Sequence, residues 1–160
     1  MVAFLRALPG LSGESYRKLA FGGTATADGV SAVERCARCH GADGMGRGGT
    51  FPVLAAQHPE YLRNALIAYR EGRRHSGFMR PEAAELDDSA RDAVVNYFAQ
   101  LPRAITAPAA SGPGATLVTS GDPARQIPAC SQCHGPAPAD RNPAYPMLAG
   151  QDAGYLFEQL

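Results

Sequence analysis

Apolar side chains recur at three- and four-residue intervals in three stretches of the chain, as they do on the buried face of an amphipathic helix. The stretches are residues 29–39, 59–70 and 88–101. Pro59 and Gly72 bound the second stretch, whereas Asp87 or Asp88 offers an N-cap to the third and Pro102 ends it. No strand-like alternation accompanies them, so the pattern predicts an all-α fold. The apolar positions are Val30, Val33 and Cys36; Tyr61, Leu62, Ala65, Leu66 and Tyr69; and Val94, Val95, Phe98 and Leu101.

Glycine and proline separate these stretches. The 160 residues include 18 Gly and 13 Pro, and residues 41–50 alone hold five glycines. Residues 103–116, rich in Pro, Gly and Ala, are typical of a linker. The formal net charge is zero, which argues against a nucleic-acid partner. No run of about 18 apolar residues is present, so no transmembrane helix is expected in this chain.

All four cysteines lie in two short motifs with the same spacing, Cys36-Ala-Arg-Cys39-His40 and Cys130-Ser-Gln-Cys133-His134. Two thiols one helical turn apart can add to the two vinyl groups of one porphyrin. The histidine that follows then lies under the iron as an axial ligand. The motifs therefore predict two covalently attached haems c.

Three other uses of paired cysteines are weaker. A structural zinc site would take both pairs as thiolate ligands, but it does not require a histidine after each pair. A thioredoxin-like redox pair expects a βαβ context, which is missing here. Disulfides within the pairs would leave both histidines unused.

The chain contains an internal repeat with an offset of 94 residues. Phe51-Pro-Val-Leu-Ala-Ala-Gln-His-Pro-Glu-Tyr-Leu62 aligns without a gap with Tyr145-Pro-Met-Leu-Ala-Gly-Gln-Asp-Ala-Gly-Tyr-Leu156. The same offset relates Cys36 to Cys130. We therefore expect two haem modules, module one at residues 29–102 and module two at residues 119–160, joined by a linker at 103–118.

The repeat also predicts that module two is truncated, since it stops five residues after Tyr155, the counterpart of Tyr61. Residues 1–28 are expected to form an N-terminal helix and a connector. Residues 2–9 resemble residues 95–102, so they are either the end of a preceding module or a simple amphipathic helix. The N-terminus lacks the features of a signal peptide, although haem is attached to c-type cytochromes outside the cytoplasm. Periplasmic location therefore implies a signal already removed or a longer chain.

The order helix, CxxCH, Gly-rich loop, Phe-Pro-Val-Leu, helix, Met, helix resembles a class I cytochrome c module. The doubled arrangement, with Phe51-Pro-Val-Leu-Ala-Ala-Gln57 and Tyr69-Arg-Glu-Gly-Arg73 ahead of a methionine, is similar to the dihaem cytochrome c4 family and to related cytochrome subunits of dehydrogenases or oxidases. The resemblance covers residues 29–102 and, as a partial copy, residues 119–160. It implies tandem class I cytochrome c modules.

The resemblance also implies roles for further residues. Met79, 39 residues after His40 and in a loop between two helices, matches the family's second ligand of the first iron, and His75 competes with it. Pro52 and Pro146 match a proline whose carbonyl accepts a hydrogen bond from the axial histidine. The counterpart of Met79 in module two would fall near position 173, so the second iron has no identifiable distal ligand here. His58 is assigned no role.

The expected function is one-electron transfer between redox proteins, with a dehydrogenase or terminal oxidase as partner, and no enzymatic activity of the chain itself. Arg70, Arg73, Arg74 and Arg80 could form a basic docking rim, pair with haem propionates, or be ordinary surface charges. The rival hypothesis is a haem enzyme or a gas- or peroxide-binding protein that uses a second haem with an open distal site. A third is an electron-relay segment of a larger complex.

Overall fold

The computed structural model describes residues 29–103, 111–135 and 142–160. The expected N-terminal helix and connector at 1–28 lie outside the described residues, as does the middle of the linker, 104–110. The described residues form helices joined by loops, and among them the only β contacts are isolated bridges at Arg47–Phe51 and Asp122–Ile127. The all-α prediction is confirmed.

Module one has four helices: α1 Gly29–His40, α2 Pro59–Arg70, α3 Met79–Ala84 and α4 Asp88–Gln100. The Asp87 side chain accepts a hydrogen bond from the Ala90 amide at 2.8 Å and caps α4. His58 caps α2 by accepting from the Glu60 amide at 3.2 Å. These side chains satisfy amides that the first turn of a helix leaves unpaired.

The core of module one lies where α1 and α2 pack against α4. Phe98 and Val95 on α4 are fully buried, and Ala32 supplies the contact from α1. Leu62 and Leu86 complete the cluster from α2 and from the turn before α4. Because His40 ends α1, this packing fixes the position of the histidine.

The Gly-rich segment after His40 folds back onto α4. Gly44 has φ +68°, and a Cβ there would lie 3.0–3.1 Å from atoms of Ala55, Phe98 and Leu101. The Gly44 carbonyl accepts hydrogen bonds from the amides of Leu54 and Ala55. Glycine is therefore required for the close approach that brings residues 51–55 beside the end of α1.

Helix α5, Pro113–Ser120, begins in the segment assigned as a linker and ends at the start of module two. Pro113 lies in the first turn, where proline is compatible with a helix. The high Pro and Gly content of this region instead indicated a linker, so this helix was not predicted from the sequence. A 3₁₀ turn at Pro123–Arg125, a four-residue helix α6 at Ser131–His134 and α7 at Ala153–Gln159 follow.

The approach to the second motif differs from the approach to the first. The residues that correspond to α1 are 123–134, and they are helical only in the 3₁₀ turn and in α6. Gln126 has φ +58°, and Pro128 lacks an amide hydrogen, so a helix cannot continue through residues 126–128. Module two therefore does not repeat the helical approach of module one in this segment. In the part of the chain that the structure describes, no helix has the length and apolar character needed to cross a membrane.

Candidate haem sites

His40 lies at the end of α1 and is only 5% exposed. Its Nδ1 is 3.0 Å from the carbonyl oxygen of Pro52. A carbonyl can only accept a hydrogen bond, so Nδ1 carries the proton and donates it. The Nε2 atom of the neutral ring then keeps its lone pair for a metal.

Burial lowers the pKa of His40, and the hydrogen bond to Pro52 partly opposes this shift. The ring is therefore held in its neutral form, which is the form that binds iron. Because the Pro52 bond also fixes the ring orientation, it sets the direction in which the lone pair of Nε2 points.

The second motif has the same geometry. His134 ends α6, and its Nδ1 donates to the carbonyl of Pro146 at 2.8 Å. In both motifs the histidine and the proline are separated by 12 residues. Two buried or half-buried imidazoles with the same tautomer and an equivalent partner show that the repeat preserves this contact in three dimensions.

The cysteines lie next to these histidines, and none of the four forms a disulfide. Cys36 and Cys39 are three residues apart on α1, so both lie on one side of the helix. Burial raises the pKa of Cys36 to about 11, which keeps it a neutral thiol at physiological pH. Cys130 is the N-cap residue of α6, and Cys133 lies within that helix.

An aromatic ring stands edge-on to each histidine. The ring centroids of His40 and Phe51 are 6.2 Å apart with an interplanar angle of 76°, and those of His134 and Tyr145 are 5.7 Å apart at 73°. Sequence reasoning placed Phe51 and Tyr145 in the repeat but assigned them no role. Their position directly before Pro52 and Pro146 was the available signal.

The candidate far-side ligands of the first site differ in exposure. Met79 is half-buried and begins α3, where its amide donates to the Ser76 hydroxyl at 3.1 Å. It was expected in a loop, and the structure instead places it in the first turn of a six-residue helix. His75 is exposed.

The arginines expected at a docking rim have different surroundings. Arg73 pairs with Glu71 at 2.6 Å, and Arg70 lies 4.0 Å from Asp88. Arg74 does not belong to a rim, because it bridges the modules. Its guanidinium donates to the hydroxyls of Tyr61 and Tyr155, each at 3.1 Å, and to Gln159 at 3.3 Å, and it lies over the ring of Tyr69 at 4.7 Å.

These residues fit a covalently held haem better than zinc. Among residues 29–103, 111–135 and 142–160, which include all four cysteines, no three His, Cys, Asp or Glu side chains gather as a metal cluster. The zinc hypothesis needed the two cysteine pairs together. Each pair instead lies beside one histidine whose Nε2 is available, which is the donor set that a haem c needs.

Comparison with known proteins agrees with this assignment. A family model described as cytochrome c matches residues 26–102. A cytochrome c4 from Thiocapsa roseopersicina is 37% identical over 142 residues, covering 86% of this chain and 71% of that protein. The solved structure of Acidithiobacillus ferrooxidans cytochrome c4 superimposes with a TM-score of 0.67 at 34% identity, covering 78% of this chain and 77% of that one.

A thiosulfate dehydrogenase electron acceptor from Stutzerimonas stutzeri (strain A1501) is 42% identical over 135 residues. The match covers 81% of this chain and 62% of that protein. The chain therefore spans less than two thirds of the length of this relative.

Proposed function

The chain belongs to the cytochrome c family, among its dihaem cytochrome c4-like members, and from this premise we propose that it passes single electrons between redox proteins. When bound, each haem c supplies an iron that takes up one electron and later releases it. The observation that carries the proposal is the paired Nδ1 bond of His40 and His134 to Pro52 and Pro146. It fixes the orientation of both imidazoles beside a cysteine pair.

Cys36 and Cys39 hold the first haem and Cys130 and Cys133 the second, with His40 and His134 as iron ligands. Met79 is the second ligand of the first iron. Its partial burial supports it over the exposed His75, because a ligand that closes a haem pocket has to lie against the interior of the module. On this assignment the chain is an electron carrier that converts no substrate of its own.

The test of this function is an absorption spectrum with a pyridine haemochrome assay and a redox titration. We expect two haems c per chain, reversible one-electron behaviour and a low-spin first haem that does not bind carbon monoxide. Fewer than two haems, or a first haem that binds carbon monoxide in the wild type, would contradict the proposal. The rival haem enzyme is not favoured, since the relatives include a protein named as an electron acceptor and a cytochrome c4.

We further propose that the electron donor is a dehydrogenase of the kind named in the Stutzerimonas relative, acting in the periplasm. The test mixes the holoprotein with a thiosulfate dehydrogenase and thiosulfate under anaerobic conditions. The α-band of reduced haem should appear only when enzyme and thiosulfate are both present. Reduction by the enzyme without thiosulfate, or none with both, would contradict this choice of donor.

A further inference from the structure

Two glutamines connect the modules by pairing with backbone groups across the boundary. Gln57 of module one donates from Nε2 to the carbonyl of Met147 at 2.9 Å, and its Oε1 accepts from the Met147 amide at 2.8 Å. Gln151 of module two forms the mirror arrangement with Val53, donating to its carbonyl at 3.1 Å and accepting from its amide at 2.8 Å. Gln57 is 3% exposed, so its pairing with Met147 is shielded from water, whereas Gln151 is half-buried.

The amides that these glutamines bind belong to the peptide groups that hold the histidines. The Pro52 carbonyl and the Val53 N–H are the two ends of one peptide group. Its carbonyl accepts the His40 Nδ1 proton, and its N–H donates to Gln151. One peptide group therefore connects the first histidine to the glutamine of the other module.

The second site has the same connection in reverse. The Pro146 carbonyl accepts from His134, and the N–H of the same peptide group, on Met147, donates to Gln57. Each histidine is thus linked through a single peptide group to the module that does not contain it.

Hydrogen bonds arranged in a chain polarise one another. When the Val53 N–H donates to Gln151, more negative charge collects on the Pro52 carbonyl, and that carbonyl draws the His40 proton more strongly. A histidine whose far nitrogen donates a stronger hydrogen bond is a more basic ligand. A more basic ligand favours the ferric state, so the Gln151 bond lowers the reduction potential of the first haem.

We propose that Gln151 is a positioning residue for the first haem and Gln57 for the second, so that the reduction potential of each haem is set partly by the opposite module. This inference rests on the proposed function, because it requires a haem at both motifs. It assigns to the two repeat glutamines a role beyond holding the modules together.

The experiment uses the full holoprotein with Gln151→Met, Gln57→Met and the control Gln159→Met. Methionine has nearly the shape of glutamine but cannot form these bonds. Gln159 accepts a bond from Arg74 across the same boundary without touching either peptide group. The two potentials are measured by spectroelectrochemistry, and each is assigned to its haem by NMR of the haem methyl groups.

We expect a crosswise result. Gln151→Met raises the potential of the haem at Cys36 and Cys39 and leaves the other within error, whereas Gln57→Met does the opposite and Gln159→Met changes neither. Equal shifts of both haems, a shift of the haem in the mutated module, or no shift would overturn the inference. A wild type without two haems would instead overturn the proposed function.

If a methionine variant does not fold, Gln151→Asn and Gln57→Asn keep a polar amide but are one methylene too short to span the contact. The Nδ1 protons of both histidines are then followed by NMR in the ferrous protein. Faster exchange with solvent at the crosswise histidine supports the inference, and unchanged exchange at both histidines overturns it.

Discussion

At the scale of single residues, each histidine receives its tautomer from a backbone carbonyl 12 residues away. A backbone acceptor cannot be removed by a side-chain mutation. The orientation of each imidazole therefore depends on the path of the loop; for His40 it depends above all on Gly44 and the contact it makes beneath residues 54 and 55.

Replacing the proposed far-side ligand gives a direct test at this scale. Met79→Ala should lower the reduction potential of the first haem, because methionine ligation favours the ferrous state. It should also open that iron to carbon monoxide, as seen in the visible spectrum. His75→Ala is the matched control, and we expect it to change neither property. Carbon monoxide binding in His75→Ala, with neither change in Met79→Ala, would move the ligand to His75.

Residue chemistry was predictable where a motif carried it. The Cys-x-x-Cys-His spacing is sufficient to indicate a haem, and the family resemblance indicated Pro52 and Pro146. The pairing of Gln57 and Gln151 with the opposite module was not predictable, although both were in the aligned repeat. A repeat shows that two residues are equivalent, but it does not show that each one faces the other copy.

At the scale of helices, module one follows its sequence pattern closely. The bounds of α2, Pro59–Arg70, are those that Pro59 and Gly72 indicate, and α4 starts after Asp87 as its cap predicts. The pattern of apolar residues did not predict two of the helices, α3 and α5. Six residues are too few to show a helical period at α3, and Pro and Gly concealed α5.

The cap of α4 gives a prediction for stability. Asp87→Ala removes the acceptor for the Ala90 amide and should lower the free energy of unfolding by about 1 kcal/mol. Asp87→Asn keeps a capping oxygen and should lose much less. Chemical denaturation of both variants measures the difference. Equal losses in the two variants would show that the negative charge of Asp87, rather than its hydrogen bond, stabilises the helix.

At the scale of the whole molecule, the modules meet at a cluster around Arg74 that joins Tyr61 and Tyr69 of module one to Tyr155 of module two. Burial raises the pKa of Tyr69 to about 12 despite the opposing charge of Arg74. The pKa of Tyr155 is raised for the same reason. The contact between the modules therefore depends on tyrosines that remain protonated.

This dependence predicts a loss of stability at alkaline pH. A phenol whose pKa is raised by folding stabilises the native state fully below its unfolded value near 10. That contribution is lost as the pH rises from about 10 towards about 12. The free energy of unfolding, measured by denaturation across this range, should fall less steeply in Tyr69→Phe than in the wild type. An equal slope in Tyr69→Phe and in the wild type would contradict this prediction.

The glutamine pairing has a consequence for how the two halves stay together. Val53 forms the same hydrogen bonds with Gln151 that Met147 forms with Gln57. Identical subunits make self-complementary contacts of this kind around a twofold axis. One ancestral surface is enough to build such a contact, and duplication of a dimer-forming module supplies both sides at once. Joining the copies in one chain makes their encounter intramolecular. The two electron carriers then remain paired at any dilution, whereas a dimer of separate modules would come apart.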